Sequence, residues 1–166
     1  MKQNKPLRRI LGVDPGLAKT GWGVLEDSGG NIKYIGHGTI ETEAGLPRAQ
    51  RLLLILNSIR AIIEEYQPSE AAIETLYFGR NVSSAIPVAE SRGVITAAIA
   101  EKNIPILELT PNAIKMGVVG QLSADKKQVQ EMVRLILGLD KTPKPDHAAD
   151  ALGAAICAFN SKSFSL

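Results

Sequence analysis

Acidic side chains stand at the ends of two predicted strands and in the first turns of a predicted helix. Asp14 follows a buried strand in GVDPG, and Glu74 ends the short apolar strand EAAIE. Asp150 lies three residues after His147 in PDHAAD, so both side chains share one face of a predicted helix. Several carboxylates at one sheet edge repel each other unless a cation lies between them. The pattern predicts a site for Mg²⁺ or Mn²⁺, whose paired ions catalyse phosphodiester hydrolysis.

Each acid also has a structural interpretation when it is considered alone. Asp14 before Pro-Gly is typical of a turn, and Glu74 is typical of a solvated strand end. Asp146 suits the first turn of a helix, where the helix dipole favours a negative charge. His147 could be a helix-start histidine that faces solvent. Only the combination of the acids favours a metal site.

The predicted elements follow the order of three strands, helix, strand, helix, strand and further helices. The strands are predicted at 8–13, 20–26, 31–41, 70–74 and 104–109. The helices are predicted at 47–66, from Ser83 or Ser84 to Lys102, from Thr110 to Gly117, at 123–137 with Ser123 as N-cap, and at 146–159. Tight turns join the first three strands into an antiparallel meander. We therefore expect an α/β protein in which helices flank a mixed sheet of five strands. Alanines in the last helix let it lie close to the sheet.

Length and composition fit one soluble domain over residues 1–166. Apolar residues make up 45% of the 166 residues and charged residues 22%, with a formal net charge of +2. Cys157 is the one cysteine, which excludes an internal disulfide and favours the reducing cytoplasm. The polar start MKQNKPLRR is not a signal peptide, and no apolar run reaches the ~20 residues of a membrane span.

The sequence carries five characteristic segments in a fixed order, GVDPGLAKTGWGV, AAIETLYFGRN, SRGVITAAI, TPNAIKMGVVGQLSADKKQVQEMV and PDHAADALGAAI. Together they resemble the RuvC family of bacterial Holliday-junction resolvases from about Arg9 to Phe159. ADKKQV followed by HAADAL is the most specific part. The resemblance implies a ribonuclease-H-like fold, a homodimer, two divalent ions per subunit and paired symmetric cuts in four-way DNA junctions. It also implies 5′-phosphate and 3′-hydroxyl products, a role in recombination and repair, and the partners RuvA and RuvB.

The resemblance assigns metal-binding and catalytic roles to four positions. Asp14, Glu74 and Asp150 match the catalytic carboxylates of the family. His147 stands at the fourth ligand position, where many members have Asp. A neutral imidazole is a softer ligand than a carboxylate, so we expect Mn²⁺ to serve better than Mg²⁺.

Three lysines are candidates for binding DNA phosphates. Lys115 and Lys126 match two functionally important lysines of the family, and Lys127 follows directly. A helix that starts near Ser123 could also offer its backbone N–H groups to a phosphate. The alternative is that Lys126 and Lys127 belong to an ordinary solvated helix face.

The segment after Glu74 offers further DNA contacts. In the family, an aromatic residue at the position of Tyr77 stacks on a base near the centre of the junction. Phe78 is adjacent, and alternation favours a place in the core for one of the two. Arg80 and Asn81 could contact the strand that is cut.

Small residues recur along the predicted helix that ends at Lys102, at Ala85, Ala89, Gly93, Ala97 and Ala98. They allow another helix to approach closely, and a two-fold dimer would match the two-fold symmetry of a junction. Packing within one subunit is the alternative.

Three rival functions share some of these features. DPGLAKTG is similar to the first phosphate loop of actin-like ATP-binding folds, but 166 residues cannot hold the two domains these folds need. A related ribonuclease-H-like nuclease that acts on ribosomal RNA precursors has the same acids. A catalytically inactive junction-binding protein is disfavoured because no acid is missing.

Overall fold

The computed structural model describes residues 7–75 and 82–161. The strands are β1 (Arg9–Asp14), β2 (Lys19–Ser28), β3 (Asn31–Glu41), β4 (Glu70–Glu74) and β5 (Ile106–Leu109). The helices are α1 (Arg48–Tyr66), α2 (Val82–Ala100), α3 (Pro111–Val119), α4 (Lys126–Ile136) and α5 (Asp146–Asn160). Every strand and helix predicted from the sequence is present, with small shifts at the ends.

The five strands form one mixed sheet in the order β3-β2-β1-β4-β5. β1, β2 and β3 form an antiparallel meander, and β4 and β5 continue the sheet parallel to β1. The predicted α/β fold with a five-stranded mixed sheet is confirmed. Val13 pairs with Ile73 across β1 and β4, so the next residues, Asp14 and Glu74, leave the sheet side by side.

Apolar side chains cover both faces of the sheet. On one face α1 and α2 contribute Ile55, Ile59, Ile95 and Ile99, all with no exposed surface. On the other face α3, α4 and α5 bury a second cluster that contains Ile114, Val133, Leu152 and Ile156. Burial of this kind stabilises the fold by roughly 25 cal/mol per Å² of apolar surface, so each face holds its helices firmly. The end of β1, which carries Asp14, is therefore held in place by packed helices on both faces of the sheet.

Helix α5 lies unusually close to the sheet because the strands beneath it carry glycines. A Cβ atom at Gly12 would collide with the carbonyl oxygen of Ala151. A Cβ atom at Gly21 would collide in the same way with the carbonyl oxygen of His147. The predicted close approach through the alanines of α5 is confirmed, and the glycines supply the other half of the contact.

Helix α3 is capped by Thr110, where the sequence predicted its start, whereas the predicted N-cap of α4 is wrong. Thr110 accepts a hydrogen bond from the backbone N–H of Ala113 at 3.1 Å. Helix α4 is capped by Asp125 and not by Ser123. Asp125 accepts from the backbone N–H of Gln128, and the Gln128 side chain accepts from that of Asp125, both at 2.8 Å. This capping box satisfies two free N–H groups at once, which a serine two residues earlier cannot do.

Candidate active site

Three potential metal ligands meet where β1 ends and α5 begins. One ligand atom from each of Asp14, His147 and Asp150 lies within 4.8 Å of the other two. His147 Nδ1 is hydrogen-bonded to Asp14 Oδ2 at 2.7 Å. His147 and Asp150 are adjacent along one face of α5, as their spacing predicted. The chain thus brings together residues 133 positions apart in sequence.

Glu74 extends this cluster from the neighbouring strand. Burial raises the pKa of Glu74 to about 8, and the negative charges of Asp14 and Asp150 add to the rise. Its carboxylate is not one of the three groups that lie within 4.8 Å of each other. A carboxylate with so high a pKa is one whose ionisation needs a compensating positive charge.

The pKa values of two other titratable groups, His147 and Asp150, are also shifted by burial and by neighbouring charges. The hydrogen bond with Asp14 raises the pKa of His147 against the opposing effect of burial. Burial raises the pKa of Asp150, although Lys126 counteracts it. Two carboxylates and one imidazole at short separation, with the carboxylate of Glu74 as a third acid alongside, form a donor set suited to Mg²⁺ or Mn²⁺. The residues present therefore fit a divalent-metal site.

Lys126 reaches into this cluster from the first position of α4. Its Nζ donates to Asp150 Oδ2 at 3.0 Å. Burial lowers the pKa of Lys126, but the hydrogen bond to Asp150 and the charges of Asp146 and Asp14 outweigh this effect, and the pKa is raised. The ammonium group is a positive charge of the chain itself, held against a proposed metal ligand.

A cleft of about 280 Å³ opens beside the acids. It is lined by Glu74, Pro111, Ile114, Lys115, Lys126, Val129 and Asp150. Lys115, half-buried on α3, and Lys126 supply positive charge on the same walls that carry the acids. A cleft with both signs of charge can hold a phosphate group without leaving the carboxylates to repel it.

The comparison with known protein families identifies the family. The family model described as "Crossover junction endodeoxyribonuclease RuvC" matches residues 10–158. The chain belongs to the RuvC family. RuvC proteins are nucleases that hydrolyse phosphodiester bonds, and the resemblance noted from the sequence motifs is confirmed.

Individual RuvC proteins match over most of the chain. The RuvC of Chloroflexus aggregans is 52% identical over 149 residues, which cover 90% of this chain and 91% of that protein. The RuvC of Treponema denticola is 49% identical over 151 residues, covering 91% and 85%. The structure of Thermus thermophilus RuvC in complex with a Holliday junction substrate matches with a TM-score of 0.85 and 28% identity, covering 90% and 92%. The fowlpox virus resolvase, at 16% identity and a TM-score of 0.60, supports the fold alone.

Of the remaining residues predicted to act in this RuvC-family protein, the structure describes only Lys127. Lys127 lines a separate groove together with Gln121, Asp125 and Glu131, on a different side of α4 from Lys126. Tyr77, Phe78, Arg80 and Asn81 lie outside the residues that the structure describes.

Sequence reasoning missed two features of the RuvC site. Gly21 lets the backbone of His147 lie against β2, and the alternating glycines of TGWGV were a signal for such an approach. The ion pair of Lys126 with Asp150 had no signal, because α4 and α5 are separate elements whose packing the sequence does not display.

Proposed function

We propose that this chain resolves four-way DNA junctions in recombination and repair. It makes paired symmetric cuts and leaves 5′-phosphate and 3′-hydroxyl ends. The observation that carries the proposal is the convergence of Asp14, His147 and Asp150 within 4.8 Å at the edge of a RuvC-type sheet. The solved structure of Thermus thermophilus RuvC with a Holliday junction supports a junction as the substrate.

Two divalent ions per subunit are the proposed cofactor, held by Asp14, Glu74, His147 and Asp150. Bound ions supply the charge that activates a water for in-line attack and stabilises the departing 3′ oxygen. Asp14 is hydrogen-bonded to His147 and adjacent to Glu74, so its carboxylate would help both neighbours to hold the ions. Glu74 must give up a proton that it holds up to a pH of about 8, so ions and protons compete at this carboxylate.

The cations of the cleft have the complementary task. Lys115 and Lys126 face the space in which a phosphate must lie to reach the acids. Their charges attract the DNA backbone and hold the scissile phosphate against the repulsion of the carboxylates. Tyr77, Arg80 and Asn81 remain proposed contacts to the bases and the strand that is cut.

The decisive experiment offers three substrates to the full chain. A synthetic four-way junction, a linear duplex and a structured ribosomal RNA precursor are incubated with Mg²⁺, with Mn²⁺ or with a chelator. We expect two symmetric cuts in the junction alone, faster with Mn²⁺ because of His147, and none with the chelator. Preferential cutting of the RNA would favour the ribosomal-RNA nuclease instead. Equal or faster cleavage with saturating Mg²⁺ would contradict the Mn²⁺ preference alone.

A lysine pair tests which cations contact phosphate. Lys115→Ala is expected to weaken junction binding and to lower the slope of log affinity against log salt concentration by about one. Lys127→Ala removes the same charge from the same region and is the matched control, because Lys127 lies outside the cleft. Binding titrations at several salt concentrations measure both slopes. An unchanged slope for Lys115→Ala would contradict its role, and a lowered slope for Lys127→Ala would show that Lys127 also contacts phosphate.

We propose that a homodimer forms through the exposed side of α2. The small residues predicted to contact a partner differ in their exposure, and Ala89 is half-buried. Ala85 and Ala98 are buried within the subunit, whereas Gly93 and Ala97 are exposed. Ile86, on the same helix, is 48% exposed. A small-residue surface next to an exposed apolar side chain suits close helix packing between two subunits.

A substitution on α2 tests the dimer. Ala97→Arg is expected to shift the mass in solution from dimer to monomer at micromolar concentration, because a long charged side chain keeps the helices apart. Ala61→Arg, on the exposed side of α1, is the matched control and should leave the dimer intact. Light scattering measures both masses. A wild-type protein that is monomeric, or an Ala97→Arg variant that remains dimeric, would contradict this interface.

The remaining proposals concern the setting of the enzyme. We propose that residues 1–166 act as one nuclease domain, in the cytoplasm, together with the branch-migration proteins RuvA and RuvB. Within the part of the chain that the structure describes, no helix has the length and apolar character needed to cross a bilayer.

A further inference from the structure

Lys126 lies between two carboxylates of α5, only one of which belongs to the proposed metal site. Its Nζ is 3.0 Å from Asp150 Oδ2 and 4.0 Å from Asp146 Oδ2. Asp146 stands one helical turn before Asp150, so the two acids are neighbours on the surface of α5. The capping box of Asp125 and Gln128 fixes the backbone from which Lys126 extends. Only its side chain must move to change partner.

Lys126 and a divalent ion compete for the same carboxylate. An ion held by Asp14, His147 and Asp150 needs an oxygen of Asp150 and repels an ammonium group close to it. Lys126 therefore has to give up at least part of its contact with Asp150 when the site is loaded. Without another partner nearby, its long flexible side chain would be free to leave the cleft.

We propose that Asp146 is a positioning residue that receives Lys126 when a divalent ion occupies Asp150, and so keeps its charge beside the scissile phosphate. This rests on the proposed metal site. The Oδ1 atom of Asp146 accepts a hydrogen bond from Lys144 Nζ at 3.0 Å, while Oδ2 is the atom that faces Lys126. The ammonium group has little distance to cover.

Asp146 also has a plainer role, since a carboxylate in the first turn stabilises a helix through the dipole. That role does not depend on the identity of residue 126. Asp146→Asn also removes one negative charge near the ion. This loss weakens metal binding whether or not Lys126 is present. A double-substitution cycle separates the proposed role from both of these effects.

The experiment measures the affinity of the full-length, metal-free protein for Mn²⁺, by counting free ions with electron paramagnetic resonance at constant salt. The four proteins are wild type, Asp146→Asn, Lys126→Met and the double variant. Lys126→Met should bind Mn²⁺ more tightly than wild type because the competitor is gone. Asp146→Asn should weaken binding about threefold more in the presence of Lys126 than in its absence, as expected for one partly exposed ion pair.

Two further variants make the result specific. Asp146→Glu, which keeps a carboxylate at this position, should restore most of the affinity that Asp146→Asn loses. Asp140→Asn removes one negative charge from an exposed residue and should leave the affinity close to that of wild type. Equal effects of Asp146→Asn in both backgrounds would overturn the proposal and leave the metal site standing. No Mn²⁺ binding by the wild-type protein would overturn the metal site itself, and this proposal with it.

Discussion

Asp14→Asn is expected to reduce junction cleavage on the order of a thousandfold while junction binding persists. Asn has the shape of Asp and can keep a hydrogen bond to His147, but it lacks the negative charge that the proposed metal ions would require. Asp14 also connects the end of β4 with α5, because its carboxyl group is hydrogen-bonded to Glu74 on one side and to His147 on the other.

The measurement separates cleavage from binding. Single-turnover cleavage of a four-way junction is compared with the affinity for the same junction in the absence of divalent ions. Asp140→Asn makes the same chemical change at an exposed position and should leave both quantities unchanged. Normal turnover by Asp14→Asn would contradict the proposed active site. Parallel loss of binding would show that Asp14 supports the fold of the site instead of its chemistry.

The second large effect concerns the stability of the metal-free protein as the pH rises. Its free energy of unfolding is expected to fall by on the order of 3 kcal/mol between about pH 4.5 and pH 8.5 through Glu74. Burial and the nearby acids raise the pKa of Glu74 to about 8 in the folded protein, from an ordinary value of 4.5. The folded state therefore keeps a proton that the unfolded chain releases. The stability that this proton gives is complete at low pH and is lost as the pH rises through about 8.

The other groups of the site act in the same direction. The pKa values of Asp150 and His147 are also raised in the folded protein, so raising the pH costs stability at these residues as well. Glu74→Gln is expected to remove the largest part of the pH dependence, because its amide does not ionise. Glu43→Gln, in an exposed turn after β3, is the matched control and should unfold like the wild type.

Thermal or denaturant unfolding from pH 4.5 to 8.5, with a chelator and with Mg²⁺, measures the effect. Mg²⁺ should restore much of the stability of the wild-type protein at high pH, because a bound cation relieves the repulsion among the acids. Mg²⁺ should restore less stability to the Glu74→Gln variant, which has one acid fewer to repel its neighbours. A wild-type protein whose metal-free stability rises with pH over this range would show that the acids of the cleft are not crowded together.

The sequence predicted the elements well because their signals are local. Apolar spacing of three and four residues identified α1, and the turn after β2 identified the meander. The strand ends that carry Asp14 and Glu74 were recognisable because each acid follows an apolar run. The N-cap of α4 was missed because serine is a good capping residue, and the paired hydrogen bonds of Asp125 and Gln128 outweigh it.

Contacts between elements were beyond such signals. Lys126 and Lys127 are neighbours in sequence and look equivalent there. Consecutive side chains on a helix point about 100° apart, so Lys126 points toward Asp150 while Lys127 lines another groove. Among the small residues of α2, Ala98 is buried and Ala97 is exposed for the same reason. The direction in which a helix is rotated depends on what it packs against.

The sequence by itself determined which residue types are available and where each element ends, and its ordered motifs determined the family. The tertiary structure alone decided that ligand atoms of Asp14, His147 and Asp150 lie within 4.8 Å of one another. It also decided that Glu74 is buried beside them and that Lys126 forms an ion pair with Asp150. The reason is physical. Propensity, capping and periodicity act over a few residues, whereas repulsion among acids and the attraction between Lys126 and Asp150 depend on distances that exist only after the sheet and its helices have packed.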